Sequence, residues 1–118
     1  MKEITSDVET LFRRCYDAFN CRDLDGALAL MHPDVTWQNG WEGGWVNGRD
    51  GVRSYWQRQW SVLDPRVEPR AIAWDDDGRV TISVHQEVRD LTGNILSDAM
   101  VTHVYELRDG LVWRMEIR

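Results

Sequence analysis

The sequence lacks the features that mark several large classes of protein. No apolar run approaches the roughly 20 residues of a membrane-spanning helix. The formal charge is −6, whereas a partner such as a nucleic acid or an anionic membrane calls for a basic protein surface. We therefore expect neither a nucleic-acid partner nor a membrane partner.

Cysteine is scarce as well, since only Cys15 and Cys21 occur. The chain is charged from Lys2 onward, unlike a secretory leader. Two cysteines without such a leader indicate reduced thiols, so we expect a cytoplasmic protein. The cysteines and histidines do not stand at the close spacing of a metal site, and no cofactor motif is present. We therefore expect neither a metal nor a cofactor.

Tryptophan, by contrast, is abundant. Seven tryptophans occur among 118 residues, three of them in the segment TWQNGWEGGW at 36–45. An indole has a large apolar surface and an N–H that needs a partner, so tryptophans gather in cores, interfaces and ligand pockets. The three glycines of the segment disfavour a helix. We interpret Trp37 as an inward-facing strand residue, and Trp41 and Trp45 as a mobile aromatic lip at the mouth of a pocket.

Hydrophobic periodicity predicts three helices in the first half of the chain. Helical spacing over residues 7–20 predicts the first helix, and a short second helix ends before Pro33. An alternating strand follows at 35–39. The third helix is predicted from about Asp50 to just before Pro65.

Alternating side chains predict a meander of strands in the second half. The predicted strands occupy residues 67–74, 79–90, 95–107 and 111–118, and turn signals separate them. Helices followed by hairpin-connected strands indicate an α+β fold, in which the helices pack on one face of an antiparallel sheet. The length suits a single domain over residues 1–118 with its own core.

The last two strands determine which side chains face the predicted core. The apolar residues of the final strand alternate, which places Trp113 and Met115 inward. The strand before it carries apolar residues on both faces, and we place inward the set that includes Val101 and His103. The outer face, which a second subunit could cover, then carries Met100, Val104 and Val112.

Three segments carry a resemblance to known proteins: AFNCRDLDGALALMHPDVTWQNG at 18–40, NGRDGVRSYW at 47–56 and THVYELRDGLVWRMEIR at 102–118. Together they resemble the nuclear transport factor two-like superfamily, specifically its SnoaL-like and ketosteroid-isomerase-like branch. The resemblance covers essentially the whole chain. It implies a cone-shaped antiparallel sheet wrapped around three N-terminal helices, an apolar pocket at the open end, and a homodimer formed through the sheets. This superfold hosts isomerases, dehydratases, cyclases and binding domains alike, so the resemblance specifies the fold better than the activity.

The resemblance also suggests which positions could do chemistry. The helix 1 tyrosine of the ketosteroid isomerases falls on Cys15, one residue before Tyr16, and their first-strand carboxylate falls on Asn39, which cannot abstract a proton. Their protonated aspartate on the penultimate strand falls on His103. The acid/base aspartate of the SnoaL-type aldol cyclases also corresponds to His103. A histidine, with an ordinary pKa near 6.5, keeps proton transfer available at neutral pH.

The expected site is an aromatic wall with a few polar points, which is typical of a pocket for a flat organic molecule. His103 is the candidate catalytic residue, and burial should keep it neutral at pH 7. The predicted ligand-binding residues are Tyr16, Trp37, Asn39, Trp56, Trp60, Gln86, Val101, Trp113 and Met115.

Two functions stay open at this point. The protein could be a cofactor-independent isomerase, cyclase or lyase that acts through His103 on an apolar aromatic or polycyclic carbonyl compound. It could instead be a non-catalytic binding or accessory domain that shelters such a molecule. The missing carboxylate at Asn39 favours binding, whereas an inward-facing His103 favours proton transfer.

Overall fold

The computed structural model describes residues 4–118, so the charged start of the chain at Lys2 lies outside it. Its helices are α1 (Ser6–Asn20), α2 (Leu24–Ala29) and α3 (Gly48–Trp60). Its strands are β1 (Met31–Gln38), β2 (Trp45–Asn47), β3 (Leu63–Trp74), β4 (Val80–Asp90), β5 (Ile95–Arg108) and β6 (Leu111–Ile117). This order confirms the predicted α+β fold. None of the three described helices has the length and apolar character needed to cross a membrane.

The six strands form one curved, open sheet in the order β2-β1-β6-β5-β4-β3. The strands β3 to β6 pair antiparallel with their neighbours, as predicted for the meander. Strand β1 pairs in parallel with β6, which is the one exception among the described strand pairs. This pairing places the first and last long strands side by side, so residues far apart in sequence meet on one surface.

Each helix presents one apolar stripe to the sheet. On α1 the buried residues are Phe12 and Tyr16, four positions apart and therefore on the same helix face. Asp23 begins α2, because its carboxylate accepts a hydrogen bond of 3.0 Å from the backbone N–H of Gly26. The buried residues of α3 are Val52, Tyr55 and Trp56. They follow the i, i+3, i+4 spacing of a core-facing helix.

Strand β4 supplies the middle of the core. Its inward residues Val80, Ile82 and Val84 are fully buried, and the alternation predicted from the sequence holds along this strand. Burying one such side chain contributes roughly 1.5–3 kcal/mol. A shift of one residue would turn all three valine and isoleucine side chains toward the outer face, so the core determines the register of the strand.

The end of α1 is tied to the start of β3 by two polar side chains. The Asn20 amide donates to the carbonyl of Val67 at 2.7 Å and accepts from the Val67 N–H at 2.9 Å. The Arg22 guanidinium donates to the Asp64 carboxylate at 2.5 Å and to the Pro65 carbonyl at 2.7 Å. These contacts hold the first part of β3 against the helices.

A β-bulge changes the orientation of side chains on β6. Glu106 and Leu107 of β5 pair with Arg114 and Val112, so Trp113 is an extra residue between the two pairs. Val112 consequently faces the core and is 1% exposed. The prediction that Val112 faces outward and Trp113 inward is wrong, because strict alternation fails where one strand contains an extra residue.

The chain around the first strand also differs from the sequence-based expectation. Strand β1 begins at Met31, before Pro33 and so within the stretch predicted as the second helix, and not at Val35. The short strand β2 occupies part of the predicted glycine loop and pairs antiparallel with β1. A strand of three residues contains too few positions for alternation to show.

Candidate functional site

A partly open cavity lies between the helices and the sheet. It has a volume of about 90 Å³ and takes side chains from all three helices and all the long strands. Much of its wall is aromatic, formed by Tyr16, Phe19, Trp37, Tyr55, Trp56 and Tyr105. Such a wall suits a flat apolar molecule.

The cavity wall carries polar groups but no side chain with a full charge. Within the part of the chain that the structure describes, aspartate, glutamate, lysine and arginine are absent from the lining. The polar groups are the thiol of Cys15, the hydroxyls of the tyrosines, the imidazole of His103, and the amides of Gln38, Gln59 and Gln86.

A buried hydrogen-bonded group joins α1 to β5 at this wall. The Tyr16 hydroxyl lies 2.8 Å from His103 Nδ1 and 2.9 Å from the Tyr105 hydroxyl. His103 and Tyr105 are two residues apart on a strand, so their side chains emerge on the same face. Tyr16 reaches both from the buried stripe of α1. We call these three residues the tyrosine–histidine group.

Burial keeps the tyrosine–histidine group uncharged near neutral pH. It lowers the pKa of His103 to about 4, because an enclosed imidazolium loses its hydration. It raises the pKa of Tyr16 well above its ordinary value, and the neighbouring Tyr105 raises it further. The pKa of Tyr105 is likewise raised, chiefly by burial. At pH 7 the imidazole is therefore neutral and both phenols keep their protons.

The cavity brings together several of the predicted site residues. Its lining includes the candidate catalytic residue His103 and five of the predicted ligand-binding residues, Tyr16, Trp37, Trp56, Gln86 and Met115. Trp60 and Val101 instead pack against the buried core outside the cavity lining. The Trp60 indole N–H is buried and has no hydrogen-bond partner within residues 4–118.

Asn39 shapes a loop and does not line the cavity, which corrects its predicted role. Its side-chain oxygen accepts from the N–H groups of Trp41 at 3.1 Å and Glu42 at 2.7 Å. Its amide nitrogen donates to the Glu42 carboxylate at 2.9 Å. All of these contacts lie within the loop after β1. Asparagine suits such a turn because its side chain bonds to the backbone two or three residues ahead.

Trp113 also lies away from the cavity. The Arg108 guanidinium stands over its ring, 3.9 Å from the ring centroid, in a cation–π contact. The bulge in β6 explains this position, because Trp113 is the residue that interrupts the alternation of the strand. Val112 occupies the place in the cavity wall that we assigned to Trp113.

The predicted aromatic lip is not part of the cavity lining. Trp41 and Trp45 are 40% and 42% exposed, and neither borders the cavity. Trp45 lies on β2 and packs under the Arg114 guanidinium, 4.4 Å from the ring centroid. The cavity lining therefore gives no support to the prediction that these two indoles close the pocket mouth.

The glycines beside the two exposed indoles have a geometric role. Gly43 and Gly44 have φ angles of 89° and 74°, in the left-handed region that other residues seldom adopt. The N–H of Asn39 donates to the Gly44 carbonyl at 2.9 Å, and the Gly43 N–H donates to the Asn39 carbonyl at 3.0 Å. The glycines thus permit a hydrogen-bonded turn, which glycine content alone does not distinguish from a mobile loop.

The family model described as the SnoaL-like domain matches residues 12–115. The chain belongs to the SnoaL-like family. This membership confirms the resemblance noted in the sequence to the nuclear transport factor two-like superfamily.

Three solved structures resemble this SnoaL-like domain over nearly its whole length. TerC, co-crystallised with polyporic acid, is 30% identical with a TM-score of 0.81, and the alignment covers 97% of this chain and 91% of TerC. A putative polyketide cyclase from Xanthomonas campestris is 22% identical with a TM-score of 0.80, covering 94% and 88% of the two chains. A Mycobacterium tuberculosis protein in complex with estradiol-17β-hemisuccinate is 16% identical with a TM-score of 0.80, covering 96% and 93%. Among curated proteins, none matches the chain significantly.

Several lining residues of the SnoaL-like domain are not among the predicted ligand-binding residues. Tyr105 carries a detectable signal, because it follows His103 by two positions on the same strand. Gln59 follows Trp56 by three positions on α3 and so shares its face. Gln38 could not be found in this way, because alternation along a strand places it on the face opposite its neighbour Trp37. In the structure both residues line the cavity at the end of β1.

Proposed function

We propose that this SnoaL-like domain binds a small, largely apolar organic molecule of aromatic or polycyclic type in its cavity. The observation that carries the proposal is an aromatic cavity with one buried hydrogen-bonding group, the tyrosine–histidine group, in its wall. Pockets of this composition hold ligands by apolar contact and orient them through a few polar groups.

The size of the cavity suits a small ring system. An apolar cavity of about 150 Å³ in another protein encloses one benzene molecule. The present cavity, at about 90 Å³, is smaller and partly open, so a single ring would fill it and extend into its opening, and a larger molecule would extend beyond it. The relatives support this class of ligand, since TerC was co-crystallised with polyporic acid and the Mycobacterium tuberculosis protein was solved with an estradiol hemisuccinate.

Binding without catalysis is our first choice of function. Proton transfer is most effective when the pKa of the catalytic group lies near the working pH. Burial lowers the pKa of His103 to about 4, which makes its imidazole a weaker base than free histidine. The position that the resemblance assigns to a carboxylate base holds Asn39, whose amide is bonded within its loop.

Acid/base catalysis through His103 is our second proposal. Its support is the location of the imidazole in the cavity wall, with Tyr16 hydrogen-bonded to Nδ1. A second hydrogen-bonded residue orients the ring, as is usual for a catalytic histidine. If the protein is an enzyme, we expect isomerase, cyclase or lyase chemistry on a carbonyl compound.

The binding proposal can be tested with a variant that blocks the cavity. Acetophenone and a panel of other neutral aromatic fragments would be titrated while amide signals are followed by NMR. Gln86→Trp should abolish the shifts by filling the cavity from β4, since Gln86 is part of the lining. Glu87→Trp is the matched control, because the next residue on a strand points to the opposite face. Equal shifts in both variants would place binding elsewhere and contradict the proposal.

We also propose a homodimer formed through the outer face of the sheet. Met100, which pairs with His85 of β4, is 59% exposed, and Leu91, Ile95 and Leu96 at the end of the β4–β5 hairpin are exposed as well. An apolar surface of this kind is typical of an interface. Val104 is buried within the chain and Val112 faces the cavity, so the predicted outer patch is replaced by one centred on the β4–β5 hairpin.

A cytoplasmic location and the lack of a nucleic-acid partner stay predictions from composition.

A further inference from the structure

We infer that the cavity selects an uncharged ligand with a hydrogen-bond acceptor, and that this acceptor receives a hydrogen bond from the Nε2–H of His103. The inference rests on the proposed function, because it assigns the chemistry of the ligand that the cavity would hold. Three observations carry it: the direction of the hydrogen bonds in the tyrosine–histidine group, the unpartnered nitrogen of His103, and the uncharged lining.

The direction of the hydrogen bonds follows from which hydrogen each arrangement leaves without an acceptor. If Tyr105 donates to Tyr16 and Tyr16 donates to His103 Nδ1, every hydroxyl hydrogen in the group has an acceptor. If His103 donates to Tyr16 and Tyr16 donates to Tyr105, the Tyr105 hydrogen has no acceptor within residues 4–118. If Tyr16 accepts from both neighbours, its own hydrogen is left without one. The first direction also leaves one donor unpaired, the Nε2–H of His103, but this atom is not fully enclosed, whereas the second leaves the hydroxyl of Tyr105, a residue that is only 2% exposed. An unpaired donor is most costly where it is most deeply buried, so the first direction is favoured.

The favoured direction determines the tautomer of His103. A neutral imidazole carries its hydrogen on one nitrogen only, and a nitrogen that accepts a hydrogen bond cannot carry it. Because Nδ1 accepts from Tyr16, the hydrogen is on Nε2. Burial, which lowers the pKa of His103 to about 4, keeps the ring in this neutral form at pH 7.

The Nε2 atom is available to a ligand. It makes no hydrogen bond to residues 4–118. It is also not sealed inside the protein, since the one fully enclosed side-chain polar atom without a partner in the described chain is the Trp60 indole nitrogen. His103 lines the cavity, so its ring borders the ligand space. The group therefore presents an N–H donor to the cavity and calls for an acceptor on the ligand.

The cavity lining also disfavours a charged ligand. The described cavity wall contains no basic side chain to pair with an anion and no acidic one to pair with a cation. Burial raises the pKa of Cys15 to about 12 and is the main cause of a rise in the pKa of Tyr55 to about 12, so neither is ionised near pH 7. A charged ligand would lose its hydration here without gaining a counter-charge.

A second polar region lies farther along the sheet. Gln86 is four residues along β4 from Ile82, the partner of His103, which corresponds to roughly 13 Å at about 3.3 Å per residue. The amides of Gln59 and Gln86 make no hydrogen bonds within the described residues, whereas Gln38 already accepts from the backbone N–H of Ile117. An elongated ligand could place its acceptor at His103 and a second polar group at these amides.

The direction of the hydrogen bonds can be measured without any ligand. Long-range proton–nitrogen NMR spectra distinguish the two histidine tautomers, and His103→Gln assigns the signal among the three histidines. We expect the Nε2–H form. Tyr105→Phe should preserve that form, because Tyr16 can then donate only to His103. Tyr16→Phe should produce a mixture of tautomers, because Nδ1 loses its donor. An Nδ1–H form in the unaltered protein would overturn the inference.

Ligand chemistry is tested with three single-ring probes of one shape: acetophenone, α-methylstyrene, which lacks the oxygen, and benzoate, which adds a charge. Affinities would be measured by NMR titration of the unaltered protein, of His103→Phe, and of Trp113→Phe as a control outside the cavity. The affinity ratio of acetophenone to α-methylstyrene should fall about two- to ten-fold in His103→Phe and stay unchanged in Trp113→Phe. Benzoate should bind at least ten-fold more weakly than acetophenone.

The outcomes separate the inference from the function on which it rests. An unchanged affinity ratio in His103→Phe, or tighter binding of benzoate than of acetophenone, would overturn the inference while the ligand-binding function stands. Failure of all three probes to bind would contradict the proposed function itself, and with it the inference.

Discussion

The phenol of Tyr16 and the imidazole of His103 lie in nearly parallel planes, 8° apart, and are joined by a hydrogen bond of 2.8 Å between the Tyr16 hydroxyl and Nδ1. The two residues are 87 positions apart in the sequence. Their contact connects the first helix to the fifth strand at the cavity wall. It orients the imidazole and leaves the other ring nitrogen of His103 for a ligand, while burial keeps the ring uncharged at neutral pH.

The burial of His103 makes the stability of the protein depend on pH. Its pKa is about 4 in the folded protein and near 6.5 in the unfolded chain, so between these values the unfolded chain binds the proton more readily. The stability that comes from keeping the imidazole neutral is fully present above pH 6.5 and is lost as the pH falls toward 4. The difference of roughly 2.5 pKa units corresponds to about 3 kcal/mol.

We therefore expect the free energy of unfolding to fall more steeply between pH 6.5 and pH 4 in the unaltered protein than in His103→Gln. The difference between the two should change by about 3 kcal/mol over this interval. Urea denaturation at a series of pH values measures it. Carboxylates titrate in the same range, but they are shared by both proteins and cancel in the difference. Parallel pH profiles would show that His103 is not desolvated as described.

The elements that sequence periodicity predicts best are those with one uninterrupted buried face. Strand β4 alternates without a break, and its inward residues Val80, Ile82 and Val84 are all fully buried. The apolar stripe of α1 is equally regular, and it places Tyr16 in the cavity wall. In such elements the apolar residues recur with the period of the helix or strand, so their spacing in the sequence indicates which face points to the core.

The errors arise where a contact between distant residues overrides the local pattern. The bulge that displaces Trp113 depends on the pairing of β6 with β5, which the alternation within β6 does not reveal. Asn39 stands at the position that the resemblance to the ketosteroid isomerases assigns to a carboxylate, yet it bonds to the backbone of its own loop. The link from Tyr16 to His103 depends on how α1 packs on β5. The spacing of residues predicts on which face of its own helix or strand a side chain lies. It does not predict which faces of two elements far apart in the sequence come into contact.

His103→Gln distinguishes the two proposed functions. Glutamine retains a hydrogen-bonding amide but lacks useful basicity. For the binding function that we favour, ligand affinity should change by about one hydrogen bond, roughly 0.5–1.5 kcal/mol. For an enzyme, the rate should fall by roughly 10²–10⁴-fold with similar affinity. Titration with acetophenone measures the first quantity, and product analysis over long incubation measures the second. Turnover by the unaltered protein that is lost in the variant would make catalysis the function.

The two cysteines should react at very different rates. Cys21 is exposed, whereas Cys15 lies in the cavity wall and burial raises its pKa to about 12. The thiolate is the reactive form, so at pH 8 only roughly one Cys15 in 10⁴ is reactive even before access is considered. We expect Ellman's reagent to label one thiol rapidly and the other only after unfolding.

Cys21→Ser should remove the rapid phase of labelling, and Cys15→Ser should remove the slow one. A ligand in the cavity should slow Cys15 labelling further. Rapid labelling of the folded Cys21→Ser protein would show that the cavity opens more widely than the structure indicates.

The exposed indoles of the β1–β2 loop should be dispensable for ligand binding. Trp41 and Trp45 lie outside the cavity lining, so replacing both with alanine should leave affinity within two-fold of the original. Trp37→Ala is the matched comparison, because it removes an indole from the cavity wall and should weaken binding. NMR titration with one ligand measures all three proteins. Strongly weakened binding in the double variant would restore the lip hypothesis.

The proposed dimer is formed through the exposed apolar surface of the β4–β5 hairpin, so a charge placed on that surface should prevent it. Met100 is 59% exposed, and a lysine there would bring two positive charges into an apolar interface between identical subunits. We expect the unaltered protein to sediment as a dimer at micromolar concentration and Met100→Lys as a monomer. Trp41→Lys is the control, since Trp41 is also exposed but lies after β1, away from the hairpin. Because Met100 is not part of the cavity lining, Met100→Lys should still bind ligand. Sedimentation of the unaltered protein as a monomer would contradict the dimer and leave the ligand proposal intact.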